Sequence, residues 1–222
     1  MKDTQVAAFF DMDKTIIAEN SGSIFFRESW ERGETTVWDI AKGASAYLQY
    51  KFGALDVTAW TSEMLKGLDG QSEAFMAEEG RVIFQKRMRA TIYPEAERLI
   101  REHQEKGHVV AIVSGSIRCL VEPLAEYLDV PHVLCTELET IDGVFTGKCI
   151  EPVCLEEGKV HWMRDFIAEH RVDLVRSWFY SDSISDLPVL ELVGHPVATN
   201  PDPLLYRTAN RRGWPVRLFK AP

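Results

Sequence analysis

Apolar positions fall into three regimes along the chain. Residues 6–10 form an unbroken apolar run between polar neighbours, the pattern of a strand buried on both faces, and 5–11 is read as that strand. From about Asn20 to Arg89 the spacing becomes helical. Segments 23–32, 37–52, 56–65 and 72–89 are four helix candidates, broken at Gly33, Gly53 and the stretch from Gly67 to Gly70. No strand alternates with them, which predicts a small helical bundle. Beyond residue 90 strands and helices alternate. The pattern predicts a helix over 94–106 that opens on Pro94 and stops at Gly107. A strand over 108–113, a helix over 120–128 and a short strand over 132–135 follow. Segment 138–149 reads as a hairpin turning on Asp142-Gly143. Helices over 159–170 and 187–192 then alternate with strands over 177–181, 196–199 and 216–219.

Strands separated by helices at this spacing build a parallel sheet with right-handed crossovers. The fold class is therefore α/β: a Rossmann-like parallel sheet core flanked by helices, residues 1–18 and 90–222. An all-helical cap is inserted after the first strand, at about 19–89.

Four polar groups lie at the C-terminal ends of these strands or just after them: Asp11/Asp13/Thr15, Ser114/Gly115, Lys159 and Asp182/Asp186. In an open α/β sheet such tips converge on one crevice. Singly, each has a bland reading. Asp13 could cap a turn, Ser114-Gly115-Ser116 could be an ordinary strand-to-helix turn, Lys159 a solvated helix start, and Asp186 a helix cap. Packing does not explain all four together. A carboxylate can attack phosphorus and split hydrolysis into two steps. A hard cation wants one or two carboxylates plus water and phosphate. A lysine, a hydroxyl and backbone N–H groups suit the phosphoryl charge, and a second acid can protonate the leaving alkoxide.

Composition sets bounds without changing this picture. The 222 residues hold one sizeable domain, or a core plus an insert, and a hydrophobic content of 45% is ordinary for a globular protein. A net charge of −9 argues against a nucleic-acid partner. Cys119, Cys135, Cys149 and Cys154 lack C-x-x-C spacing and read as buried thiols in a reducing cytoplasm. The start of the chain lacks the pattern of a signal peptide, and no apolar run is long enough to span a bilayer. The six histidines show no metal-binding spacing.

The motif Asp11-Met12-Asp13-Lys14-Thr15, then Ser114-Gly115, then Lys159, then Asp182-Ser183-Ile184-Ser185-Asp186 resembles the four motifs of the haloacid dehalogenase superfamily, in order and separation. The helical insert is similar to the cap of its phosphoserine-phosphatase-like branch. The stretch from Ala198 to Pro203 with Gly213-Trp214-Pro215-Val216 resembles subfamily IB. The resemblance implies that Asp11 is the nucleophile and a Mg²⁺ ligand. It implies that Asp13 carries the proton and offers its carbonyl to the metal. Thr15 would support that loop, and Ser114 and the Gly115 N–H would bind phosphate. Lys159 would neutralise charge, and Asp182 and Asp186 would serve the metal. Asp13 also argues against a true dehalogenase, because a halide needs no proton to leave.

The insert bears on the substrate, a small phosphomonoester. Phe25, Phe26, Trp30, Trp38, Tyr47, Tyr50, Phe52 and Trp60 crowd into it. They fill a bundle core, or several line a pocket for an apolar leaving group. Lys42 and Lys51 could meet a second anion, or could be solvated. Phosphoserine phosphatases place an acid shortly after the first motif and an arginine in the cap. Here Asn20 stands near the first place as a candidate substrate-binding residue, and the segment 58–66 has no arginine. Histidinol phosphate or a lipid-derived phosphate therefore ranks level with phosphoserine. Two other readings stay open: a phosphotransferase to an alcohol, and a catalytically silent binding module.

Overall fold

The computed structural model describes residues 4–33, 66–220 and 222, and its architecture grows from the first strand. β1 (Ala7–Phe10) is buried at every position. Its alternating side chains divide the core into two layers, as the period-2 geometry of a strand requires. Ala8 and Phe10 join Ile112, Leu120 and Tyr180, while Ala7 and Phe9 join Met163, Phe166 and Phe179. Phe10 stacks on Tyr180 with ring centroids 4.5 Å apart.

The other strands are β2 (Val109–Ile117), β3 (His132–Thr136), β4 (Leu138–Ile141), β5 (Val144–Cys149), β6 (Trp178–Ser181), β7 (His195–Thr199) and β8 (Val216–Arg217). The main sheet has the order β3-β2-β1-β6-β7-β8, and every neighbouring pair is parallel. The described helices are α1 (Ser21–Glu31), α2 (Glu73–Ile83), α3 (Pro94–Glu105), α4 (Arg118–Tyr127), α5 (Glu157–His170), α6 (Leu187–Leu190) and α7 (Pro203–Arg212). α3 and α4 cover one face of the sheet, and α5, α6 and α7 the other. The chain runs outward from β1 to β3, then returns to pair β6 on the opposite side of β1. The strand order reverses there, so a crevice opens above the tips of β1 and β6.

The expected hairpin forms as a separate two-stranded sheet, β4 with β5. Asp142 and Gly143 both take positive φ, 51° and 75°, as a two-residue turn demands. Three expectations shift. β2 continues past Val113, so Ser114 and Gly115 lie within the strand, where its register against β3 slips. α5 begins at Glu157 and takes Lys159 into its first turn. The single helix expected over 72–89 ends at Ile83 and passes through a wide π turn (Phe84–Met88) and a 3-10 turn (Arg89–Thr91). The wide turn buries Phe84 and Met88 in the core while Lys86 and Arg87 both reach Glu28 of α1.

The helix candidates at 37–52 and 56–65 lie outside the described residues. So do Trp38, Tyr47, Tyr50, Phe52, Trp60, Lys42 and Lys51. The flanks of the insert pack directly on the sheet layer: Ile24, Ile83, Phe84 and Met88 share the cluster of Phe10, and Phe25 packs against it. A Cβ on Gly80 would stand 1.8 Å from the Cys119 carbonyl oxygen, so α2 meets α4 backbone to backbone. The turn before α2 bonds the hairpin, with the Glu73 N–H donating to Gly143 O at 2.9 Å.

Candidate active site

β1 ends at Phe10, but the Asp11 N–H still donates to the Tyr180 carbonyl at 2.9 Å, which fixes Asp11 at the crevice mouth. Lys159 Nζ donates to Asp11 Oδ1 at 2.7 Å and to Asp186 Oδ2 at 2.8 Å. Asp186 Oδ2 also accepts from Ser181 Oγ at 2.7 Å. Lys159 is only 2% exposed. Its depth follows from Gly158, where a Cβ would meet the Val153 carbonyl oxygen at 1.9 Å, so only glycine lets the first turn of α5 seat this tightly.

Asp182 follows β6. Its carbonyl accepts from the Asp202 N–H at 2.7 Å, and Asp202 Oδ2 accepts from the Ile184 N–H at 2.8 Å. Asp202 Oδ1 caps α7 by accepting from Leu204 and Leu205 N–H. One residue thus pins both sides of the Asp182–Asp186 loop to the start of α7.

The crevice has too much negative charge. Burial, then the neighbouring Asp186 and Asp13, push Asp11 up to about 7, against the pull of Lys159. Burial and then Asp11 push Asp182 up to about 8. Burial opposes the Lys159 charge, but Asp11 and Asp186 outweigh it and hold the amine well above an ordinary lysine. A single buried cation faces several acids that cannot all ionise together.

Asp13 turns away from this cluster toward α1. Its Oδ2 accepts from Asn20 Nδ2 at 2.9 Å and from Ser21 Oγ at 3.0 Å, and its Oδ1 accepts from the Ser21 N–H at 2.9 Å. Asn20 Oδ1 also accepts from the Ser23 N–H at 3.1 Å and caps α1. Asn20 is thus engaged with Asp13 and the helix start. Burial raises the Asp13 pKa while the Ser21 bonds oppose the rise. Ser114 is buried, and its Oγ accepts from the Ser116 N–H at 3.1 Å. Gly115 lies against Leu155, where a Cβ would be 2.2 Å from Cδ2, and its carbonyl accepts from Thr136 Oγ1. Thr15 is buried at the turn, yet its Oγ1 has no hydrogen-bond partner among the described residues. Lys14 is exposed and takes φ 57° to make the turn.

The structure therefore brings Asp11, Lys159 and Asp186 into direct contact, and sets Asp182 within electrostatic reach of Asp11. The sequence assigns no site role to Ser21, Ser116, Ser181 or Asp202, although Ser116 and Asp202 fall within the turn and the stretch singled out above. Asn20-Ser21 and Asp202-Pro203 carry helix-start signals, and a capping residue does not announce a second partner. The four cysteines stand free. No described helix is long and apolar enough to cross a membrane.

Among the described residues no three His, Cys, Asp or Glu side chains converge as a finished metal-ligand cluster. The donor set still fits a hard cation. Mg²⁺ takes only one or two carboxylates from a protein and fills its shell with water and phosphate. Asp11 and Asp182 are two oxygen donors whose ionised forms a cation would favour.

The pattern of haloacid dehalogenase-like hydrolases matches residues 8–191. The chain belongs to the haloacid dehalogenase-like hydrolase family. Its relatives in this family include a histidinol-phosphatase of Neisseria meningitidis serogroup C, 32% identical over 218 residues, covering 96% of this chain and 98% of that one. A phosphoserine phosphatase of Mycobacterium tuberculosis is 32% identical over 224 residues, covering 98% of this chain and 72% of that one. Among solved structures, a protein of unknown function from Bordetella pertussis Tohama I superposes with a TM-score of 0.87 at 28% identity, covering 97% of this chain and 99% of that one.

Proposed function

We propose that this hydrolase cleaves a small phosphomonoester with Mg²⁺ through an aspartyl-phosphate on Asp11. The observation that carries the reading is Lys159, buried and bonded to both Asp11 and Asp186 where β1 and β6 end. In the first step an Asp11 oxygen attacks phosphorus, the bond to the leaving oxygen breaks, and Asp13 gives that oxygen a proton. In the second, Asp13 takes a proton from water as the water attacks phosphorus and the bond to Asp11 breaks. Lys159 orients Asp11 and faces the phosphoryl charge. Ser114 Oγ and the Gly115 N–H bind phosphate oxygens at the irregular end of β2. Asp11, the Asp13 carbonyl and Asp182 would hold Mg²⁺, with Asp186 behind them. Such a cation supplies charge that favours ionised Asp11 and draws an anionic substrate into an acidic crevice.

The core is residues 1–18 and 90–222, and the insert at 19–89 reads the leaving group. Phosphoserine, histidinol phosphate and a lipid-derived phosphate are the substrates to try first. The histidinol-phosphatase and phosphoserine phosphatase relatives support the first pair. A cytoplasmic setting accords with the free thiols.

Phosphate release from a panel of phosphorylated metabolites tests the reading. Turnover should need Mg²⁺, stop with chelator, and pass through a phosphoenzyme cleaved by hydroxylamine. Asp11→Asn should form none and lose about 10⁴-fold in rate. Full turnover in chelator, or an active Asp11→Asn, would overturn it.

A further inference from the structure

The hydrogen bonds of Asp13 are unevenly shared between its two oxygens. Oδ2 accepts two side-chain donors, Asn20 Nδ2 at 2.9 Å and Ser21 Oγ at 3.0 Å. Oδ1 accepts one, the Ser21 N–H at 2.9 Å. A carboxylate oxygen offers about two lone-pair directions. Oδ2 is therefore full, and Oδ1 keeps one direction open.

Ser21 is buried at 1% exposure, and its hydroxyl also lies 3.0 Å from Ser116 Oγ. A hydroxyl has one proton to give and can accept two. The Ser21 hydroxyl is placed to donate to either acceptor, and the Asp13 carboxylate is the stronger one, so the Ser21 proton goes to Asp13. Ser116 in turn belongs to the phosphate side of the crevice, since its N–H donates to Ser114 Oγ at 3.1 Å. The arrangement joins three elements around one carboxylate: the turn after β1, the first turn of the insert, and the end of β2.

We propose that Ser21 and Asn20 are positioning residues that clamp Oδ2 of Asp13 as a permanent acceptor, so that the travelling proton is carried on Oδ1. The clamp rests on the reading of Asp13 as proton carrier given above. It works in both protonation states. When Oδ1 holds the proton, Oδ2 is the carbonyl oxygen of a carboxylic acid and still accepts both donors. In the first step the Oδ1–H bond breaks and the proton joins the leaving oxygen as its bond to phosphorus breaks. In the second, a water proton joins Oδ1 as the water oxygen attacks phosphorus. The proton count closes, and no donor to Oδ2 has to move.

A clamp of this kind has a kinetic signature that a purely structural serine lacks. An alkoxide leaves poorly without a proton, whereas 4-nitrophenolate leaves without one. The ratio of kcat/KM for glycerol phosphate to kcat/KM for 4-nitrophenyl phosphate isolates the proton, because kcat/KM reports the first half-reaction. Ser21→Ala should lower this ratio about tenfold, part of the roughly 10²–10⁴ that general acid catalysis supplies. Ser21→Thr keeps the hydroxyl and should recover most of the ratio. Asn20→Ala, at the exposed end of α1, should lower it less, and carries the same test if Ser21→Ala does not fold. An unchanged ratio, with both substrates slowed alike or neither slowed, overturns the clamp. Asp13→Asn separates the two levels. If it lowers the ratio while Ser21→Ala and Asn20→Ala do not, the clamp fails alone. If it leaves the ratio intact, the role given to Asp13 fails and the clamp falls with it.

Discussion

Among the described residues, two buried charge clusters are built on opposite plans. In the crevice one buried cation, Lys159, faces Asp11 and Asp186, with Asp182 and Asp13 close by. Beside α1 one buried acid, Glu28, faces three cations. Lys86 Nζ donates to it at 2.8 Å, Arg87 Nε at 2.6 Å and Arg32 Nε at 3.3 Å. Those arginines are themselves paired, Arg87 with Glu31 and Arg32 with Glu79. The two acid environments move in opposite directions. Glu28 is drawn down to about 2 by its bonds to Lys86 and Arg87, while burial pushes Asp11 up to about 7. The Glu28 cluster is complete within the chain and fastens the first helix of the insert to the π turn on its far side. The crevice leaves its acids short of cations, which the Mg²⁺ of the proposed reaction would supply.

The sharpest way to break this contrast is Lys159→Met. It should cost about 10³-fold or more in rate. It also leaves Asp11 and Asp186 buried without their cation, which should destabilise the fold by about 3–5 kcal/mol at pH 8. The loss should shrink at pH 6, where Asp11 takes up a proton. Kinetics and thermal unfolding at the two pH values read both effects, and a Met variant as active as the parent would remove Lys159 from the chemistry. Asp202→Ala comes next. It frees the Ile184 N–H and uncaps α7 while the backbone bond from residue 202 to the Asp182 carbonyl stays, and should weaken Mg²⁺ binding by about tenfold, as loss of an outer-shell partner does. Calorimetric titration with Mg²⁺ measures this directly, and an unchanged affinity would show that the loop holds its shape alone.

The pH response of the metal-free protein sharpens the comparison further. Asp11 and Asp182 stand at about 7 and 8 in the folded chain against an ordinary 3.8. The folded state then binds more protons than the unfolded state between about pH 4 and 8. Stability from these groups is complete below about pH 4 and is lost as pH rises through 7 and 8. Mg²⁺ favours the ionised pair, so its stabilising effect should be larger at pH 8 than at pH 6. At ten times its dissociation constant it should raise the midpoint by about 3–6 °C at the higher pH. An equal gain at both values would place the cation elsewhere.

The crevice was far more legible in the sequence than the Glu28 cluster, for a physical reason. A run buried on both faces announces β1, and β1 fixes where Asp11 points. Asp182 and Ser114 follow because each ends an apolar run in the sequence. Lys159 was legible only by its order among the motifs. Nothing in its own surroundings tells a solvated helix start from a buried amine, and the cause, Gly158 seated against Val153, is a tertiary contact. Glu28 looks like any charged residue on a helix with an i+4 arginine, since its two nearer partners lie 58 and 59 residues downstream on a turn whose π geometry has no local signal. Ser21 is hidden differently, and Asn20 is legible as a candidate substrate contact but not as a partner of Asp13. Helix-start chemistry accounts for both, so nothing demanded a second partner such as Asp13.

The smallest effect expected is also the cleanest test of the closed cluster. Glu28→Gln keeps the side-chain volume and a carbonyl acceptor but removes the charge. Lys86 is half exposed and can return to water, while Arg87 keeps Glu31, so neither partner is stranded. The cost should be about 1 kcal/mol, a fall of about 2–4 °C in the midpoint at pH 7. The pH profile carries the specific signature. Glu28 has a folded pKa of about 2 against an ordinary 4.5, so its contribution is present above about 4.5 and is lost as pH falls toward 2. The parent should therefore lose its advantage over Glu28→Gln as the solution is acidified through this window, and the two unfolding curves should converge near pH 2. In the crevice the corresponding loss occurs on the alkaline side, so a Glu28→Gln profile that diverged from the parent above pH 7 would mean that the two clusters are coupled through α1.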